Sequence, residues 1–132
     1  MTIDRKFLIW ALVYIVLGMI LGIYMAVSKD HGQHVTHAHV LLVGFVLSLL
    51  YGIIHRLWLN GHSLAVANVQ FYLHQLGVIV MSLGLFLLYG HMMAETVLGP
   101  ILGVASLLVL ASALLMFWMV LKSSSTTRME PS

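Results

Sequence analysis

Four long apolar runs, near residues 7–28, 36–59, 66–90 and 97–121, constrain this chain more than any other feature. A bilayer's hydrocarbon core, about 30 Å thick, takes roughly 20 apolar helical residues to cross, and each run is long enough. Backbone polar groups find no water at that depth, so an apolar run crosses as a helix that satisfies them internally. The composition agrees: 61% of residues are hydrophobic and 8% charged, with a mean hydropathy of +1.05, well outside the range of soluble domains. The expected fold class is all-α, a polytopic membrane protein with four transmembrane helices in one up-down bundle. It forms a single domain over residues 1–132, with short loops, a six-residue head and a disordered polar tail at 122–132, "KSSSTTRMEPS".

The first run is about 22 residues long, lacks an A-x-A cleavage pattern and is followed closely by a second span, so it reads as a retained helix rather than a signal peptide. Orientation follows from Lys and Arg, which concentrate in cytoplasmic loops. Arg5, Lys6, Arg56, Lys122 and Arg128 fall on one side of the four-span arrangement and only Lys29 on the other. Both termini are therefore expected in the cytoplasm. "SKDHGQHVTH" and "GHMMAET" then face the periplasm or exterior of a bacterial inner (cytoplasmic) membrane. Trp10, Trp58 and Trp118 lie near the cytoplasmic span ends, where interfacial tryptophans gather. The net charge of +2 is small and dispersed, which argues against nucleic acid. The lipid bilayer is the first partner.

With no cysteine in the chain, thiolate metal sites and iron–sulfur clusters are excluded. Any metal must be held by histidine, methionine or carboxylate, and the chain carries eight histidines. An ionisable residue inside a span is costly and is a functional candidate by default. By position along the spans, His31, His34, His37, His39 and His91 lie at the outer end, and His55, His62 and His74 toward the inner end. His39 and His74 should differ in depth by about 20 Å from the helical rise, so a bound metal would occupy one of two layers. In a regular helix His37 and His55 share a stripe with Gly44, Ser48 and Tyr51, while His39 points about 200° away from His37, toward Val43, Val46 and Leu50. His74 shares a stripe with Ala67, Gln70, Gly77, Met81 and Gly84. Both stripes are small or polar and should face protein. Gly18 and Gly22 on the first helix, and Gly99 and Gly103 on the last, are small-xxx-small pairs that mark packing faces.

An H-x-H pair on a regular helix cannot clasp one ion between its two rings. It can serve two sites on opposite sides of the helix. If residues 34–39 were extended instead, neighbours two apart would point the same way and could chelate one copper or zinc.

"THAHVLLVGFVLSLLYGIIHRLW", followed by "FYLHQLGVIVMSLGLFLLYG", resembles the small four-helix relatives of haem-copper oxidase subunit I, over roughly residues 36–90. The resemblance implies that the chain is like one of the three four-helix arcs of that subunit. It implies that His37 and His39 match an H-x-H pair whose members ligate two different haems. It also implies a homotrimer, with each haem held between His37 of one copy and His39 of the next. Members usually carry tyrosine where this chain has His55, and the oxidases' copper-ligating histidine pair and cross-linked tyrosine have no match here. No complete catalytic constellation of an oxidase is present, and no catalytic residue is assigned.

The leading expectation is thus a haem-b-binding membrane protein with His37 and His39 as iron ligands and His74 as a further cofactor-binding candidate. It would act in electron transfer, haem handling or diatomic gas binding, with a possible respiratory-chain electron-transfer partner. The alternative is a copper or zinc protein for metal delivery or assembly of a respiratory enzyme, drawing on the outer cluster "HGQHVTHAH" with His31, His34, His91 and, at the inner layer, His55. A structural subunit of a respiratory complex, its histidines only hydrogen-bonding between helices, is the third reading. For His55, beside Arg56, a boundary position explains the residue as well as ligation does. Most of the nine methionines sit singly in apolar spans, where they fill space. The pair beside His91 could contact copper.

Overall fold

The computed structural model describes residues 1–59 and 63–123. Among them, four helices are long and apolar enough to cross a membrane: α1 (Ile3–Ser28), α2 (His34–Trp58), α3 (Leu64–Tyr89) and α4 (Glu95–Ser123). The described chain is all-helical. Each helix runs two to four residues past at least one end of its apolar run, because polar residues at a span boundary still close helical hydrogen bonds. Lys122 and Ser123 accordingly continue α4 rather than opening a tail. The rest of the expected tail, with Arg128, and the inner-loop His62 lie outside the described residues.

Cross-links fix the up-down course. Arg56 near the end of α2 pairs with Asp4 at the start of α1, 3.1 Å apart. Lys6 of α1 donates to Asn68 in the first turn of α3 at 3.2 Å. Gln33, just before α2, donates to the Phe86 carbonyl near the end of α3 at 2.9 Å. The starts of α1 and α3 and the end of α2 therefore share one face, here the terminal face. Helices α1 and α2 pack along their lengths, as do α3 and α4, and the two pairs meet chiefly where α2 lies on α3. Phe7, fully buried, knits the terminal half by packing edge-on against Phe71 and Tyr51 and stacking on the His55 ring. Large apolar side chains stay exposed along all four helices, as expected where lipid is the solvent. The chain is a multi-pass membrane protein.

The α3 stripe is as expected: Ala67, Gln70, His74, Gly77, Met81 and Gly84 are all buried. The α2 stripe is not. Val40–Val46 winds as a π-helix, in which each N–H reaches back five residues rather than four; the Leu47 N–H, for example, reaches the Leu42 carbonyl. Thr36, Val40, Gly44 and Ser48 would drift by about 120° in a regular helix, yet the wider turn keeps all four buried. Gly44, Ser48, Tyr51 and His55 thus stay inward as expected, but Thr36 replaces His37 at the far end of the stripe. His37 is rotated to the flank of α2 and is half-buried.

Candidate functional site

The flank that receives His37 is the groove between α1 and α2. Gly18 and Gly22, one turn apart on α1, form it. Gly22 has no side chain where a Cβ would lie 2.9 Å from the His37 ring carbon Cε1, so the imidazole lies directly on the α1 backbone. There His37 Nδ1 is 2.8 Å from the Gly18 carbonyl oxygen. A carbonyl can only accept, so Nδ1 carries the proton and Nε2 keeps the lone pair.

His39 reaches the same state by another route. Its Nδ1 is 2.8 Å from the carbonyl of Val35, one turn back on its own helix, so its Nε2 also holds a lone pair. The two rings thus leave α2 on different sides, one against α1 and the other along α2 itself. Metal-ligating histidines characteristically donate their second ring N–H to a carbonyl or carboxylate, which fixes the tautomer and orients the ring. Both residues have that arrangement. His34, exposed at the start of α2, is similarly tied through Nδ1 to the His31 carbonyl at 2.9 Å.

The other histidines are placed differently. His31 is exposed in the α1–α2 turn. His91 is exposed just past α3 with a left-handed backbone, φ 57°, and Met92 and Met93 beside it are exposed as well. Among the described residues, no three of His, Asp and Glu come together as a set that could hold a metal ion. The outer cluster of His31, His34, His37, His39 and His91 therefore does not converge within one chain.

His74 and His55, the inner candidates, belong to two separate hydrogen-bonded networks. His74 is fully buried at mid-bundle. Tyr14 donates to Gln75 Oε1 at 2.6 Å, Gln75 Nε2 donates to Ser48 Oγ at 3.4 Å, and Ser48 Oγ lies 3.1 Å from His74 Nε2. Ser48 Oγ thus joins the Gln75 amide to the imidazole, whose other ring nitrogen is Nδ1. That nitrogen has no partner in hydrogen-bonding geometry among the described residues. Nearer the terminal face, His55 Nε2 donates to Gln70 Oε1 at 3.0 Å. Gln70 Nε2 donates to Ser112 Oγ at 3.0 Å, and that hydroxyl returns a bond to the Gln70 carbonyl at 2.9 Å.

These networks tie α1, α2 and α3 at one level and α2, α3 and α4 at another. Interhelical bonds of this kind average about 0.6 kcal/mol each, reaching about 1.7. Tyr14, Gln75 and Ser112 were not singled out in the sequence. A glutamine within an apolar run is the available signal, since it must find a partner there, and Gln70 and Gln75 both do.

Comparison with protein-family models, with curated proteins and with solved structures found no match to this chain.

Proposed function

We propose that this chain is a haem-b-binding membrane protein, similar to one four-helix arc of haem-copper oxidase subunit I, in which His37 and His39 would hold the haem iron. One observation carries the reading. Both rings hand Nδ1–H to a backbone carbonyl, which leaves Nε2 of each as a preoriented donor, and they do so on different sides of one helix. The donor chemistry fits a haem iron. On this reading a haem would be held between two copies, by His37 of one and His39 of the next.

The last helix supplies a face for such an assembly. Gly99 and Gly103 have open space where a side chain would be, unlike Gly18 and Gly22, which are packed against α2. Small residues let membrane helices approach closely, and three copies would build a ring of twelve helices. Placement in a bacterial inner membrane with both termini cytoplasmic belongs to this proposal, supported by Arg5, Lys6 and Arg56 on the terminal face against Lys29 opposite. A b-type haem with two imidazoles has no open position, which suits electron transfer with a respiratory partner. The chain's own part is to hold both Nε2 lone pairs in place and keep the site within the apolar layer.

Metal analysis of protein purified in mild detergent from haem-replete cells tests the reading. Iron that is lost in His37→Ala and in His39→Ala supports it. Copper or zinc lost on substituting His31 and His34 moves the assignment to a metal-delivery protein. A metal-free protein leaves a structural subunit.

A further inference from the structure

On the terminal side of the bundle, α1 and α3 leave a groove of about 500 Å³ between them. Lys6 and Trp10 line it from α1, and Phe71, Tyr72, Leu76 and Ile79 from α3. Tyr14 joins the two helices at this level by donating to Gln75, 2.6 Å away. From Tyr72 to Ile79 the groove follows α3 for about 10 Å, and Leu76 is exposed along it. It is an apolar track open to lipid, with a cation at the end nearer the termini.

The polar groups at that end can all donate. Lys6 Nζ stands 5.9 Å from the centre of the Phe71 ring and 6.0 Å from that of Tyr72, which holds the ammonium on the α3 side of the groove. It gives one N–H to Asn68 Oδ1 at 3.2 Å, and an ammonium has three. Among the described residues the other two meet no acceptor, and the Trp10 indole N–H and the Tyr72 hydroxyl make no hydrogen bond. No carboxylate lines the groove. Asp4, the acidic side chain described on this face, is paired with Arg56 at 3.1 Å, and Asp30 and Glu95 lie on the opposite face. An anion supplies the acceptors that these donors lack, and a phosphate ester carrying acyl chains supplies the filling for the track as well. Basic pockets between membrane helices select lipid heads in this way. A choline head would bring its own cation beside Lys6, so the net charge of the lipid decides between heads.

We infer that this groove binds an anionic phospholipid, its phosphate on Lys6 with Trp10 and Tyr72 beside it and an acyl chain along Leu76 and Ile79. His37 meets α1 at Gly18, about 18 Å along the helix from Lys6, so the site is separate from the proposed haem position.

Delipidated protein mixed with equal amounts of phosphatidylglycerol and phosphatidylcholine of the same acyl chains, and weighed intact by native mass spectrometry, tests the assignment. Wild type should retain the glycerol lipid about fivefold over the choline lipid, the scale of one lysine near an anionic lipid. Lys6→Gln should abolish that preference with helical content unchanged by circular dichroism. Arg5→Gln, which removes an exposed cation outside the groove, should preserve it. Leu76→Trp fills the track and should lower retention of the glycerol lipid with Lys6 intact, and glycerol phosphate, a head without chains, should not be retained. Equal retention of the two lipids by wild type, or a preference that survives Lys6→Gln or disappears in Arg5→Gln, would overturn the assignment. So would retention unchanged by Leu76→Trp, retention of glycerol phosphate, or a groove found covered by a second copy.

Discussion

His37 donates from Nδ1 to the Gly18 carbonyl, 2.8 Å away across the α1–α2 groove. That bond makes the small residues of α1 part of the histidine's environment rather than a packing face alone. It sets both the tautomer and the aim of the ring, and it depends on Gly22 staying bare.

Gly22→Ala tests this dependence. The new Cβ would meet His37 Cε1 at 2.9 Å, and the ring must turn away from Gly18 to clear it. The expected outcome is a several-fold loss of bound haem, about 1 kcal/mol of ligand binding, with little change in the thermal unfolding midpoint in detergent. Full retention of haem would show that the groove does not orient the ring.

The mid-bundle network predicts a stability effect separate from haem. Ser48→Ala leaves His74 Nε2 and the Gln75 amide without the hydroxyl that joins them, and unsatisfied buried groups cost about 1–3 kcal/mol. His74→Leu removes the needy ring, so Ser48→Ala should cost less in that background, with a coupling of about 0.5–3 kcal/mol. Reversible unfolding in detergent, read as a double-mutant cycle, measures it. Simple additivity would mean that the 3.1 Å contact contributes nothing.

Two glycines with opposite surroundings should respond in opposite ways. At Gly77 a Cβ would stand 3.0 Å from the Ala105 carbonyl and 3.1 Å from the Val109 nitrogen. Gly77→Ala therefore forces α3 from α4 at about 1–3 kcal/mol. At Gly99 nothing lies within 4 Å. Gly99→Ala should leave a single chain unchanged or raise its stability by up to about 1 kcal/mol through helix propensity. Thermal midpoints of the two variants decide it.

Gly103 also faces open space, and the proposed assembly uses that face. Gly103→Trp is expected to reduce the mass of the detergent-solubilised particle from a trimer to single chains while helical content is unchanged. Light scattering coupled to size exclusion reads the mass. A trimer unaffected by tryptophan there would move the contact to another helix.

The four spans could be read from the sequence because long apolar runs leave the backbone no other way across a bilayer. The inward face of α3 could be read too, since His74 and its stripe follow a regular helical period. The face of α2 could not. Its π-wound stretch over Val40–Val46 changes the period without a proline or a charge to mark it, so Thr36 takes the inward place that regular winding gives to His37. The role of Gly22 was hidden for a different reason. Small-residue spacing shows that something packs closely, and only the neighbouring helix shows that it is an imidazole. Gln70 was legible on the α3 stripe and Gln75 was not, although both are polar groups in an apolar run; their partners Ser112 and Tyr14 lie on other helices.

On the proposed reading, His37 and His39 present Nε2 to haem iron. Its most direct test is the optical absorption spectrum of protein purified from haem-replete cells, reduced and oxidised, beside that of His39→Ala. The wild type should show the sharp reduced-state bands of a b-type haem with two imidazoles, and the variant should lose them. A colourless wild-type protein, or a haem spectrum that His39→Ala leaves unchanged, would contradict it.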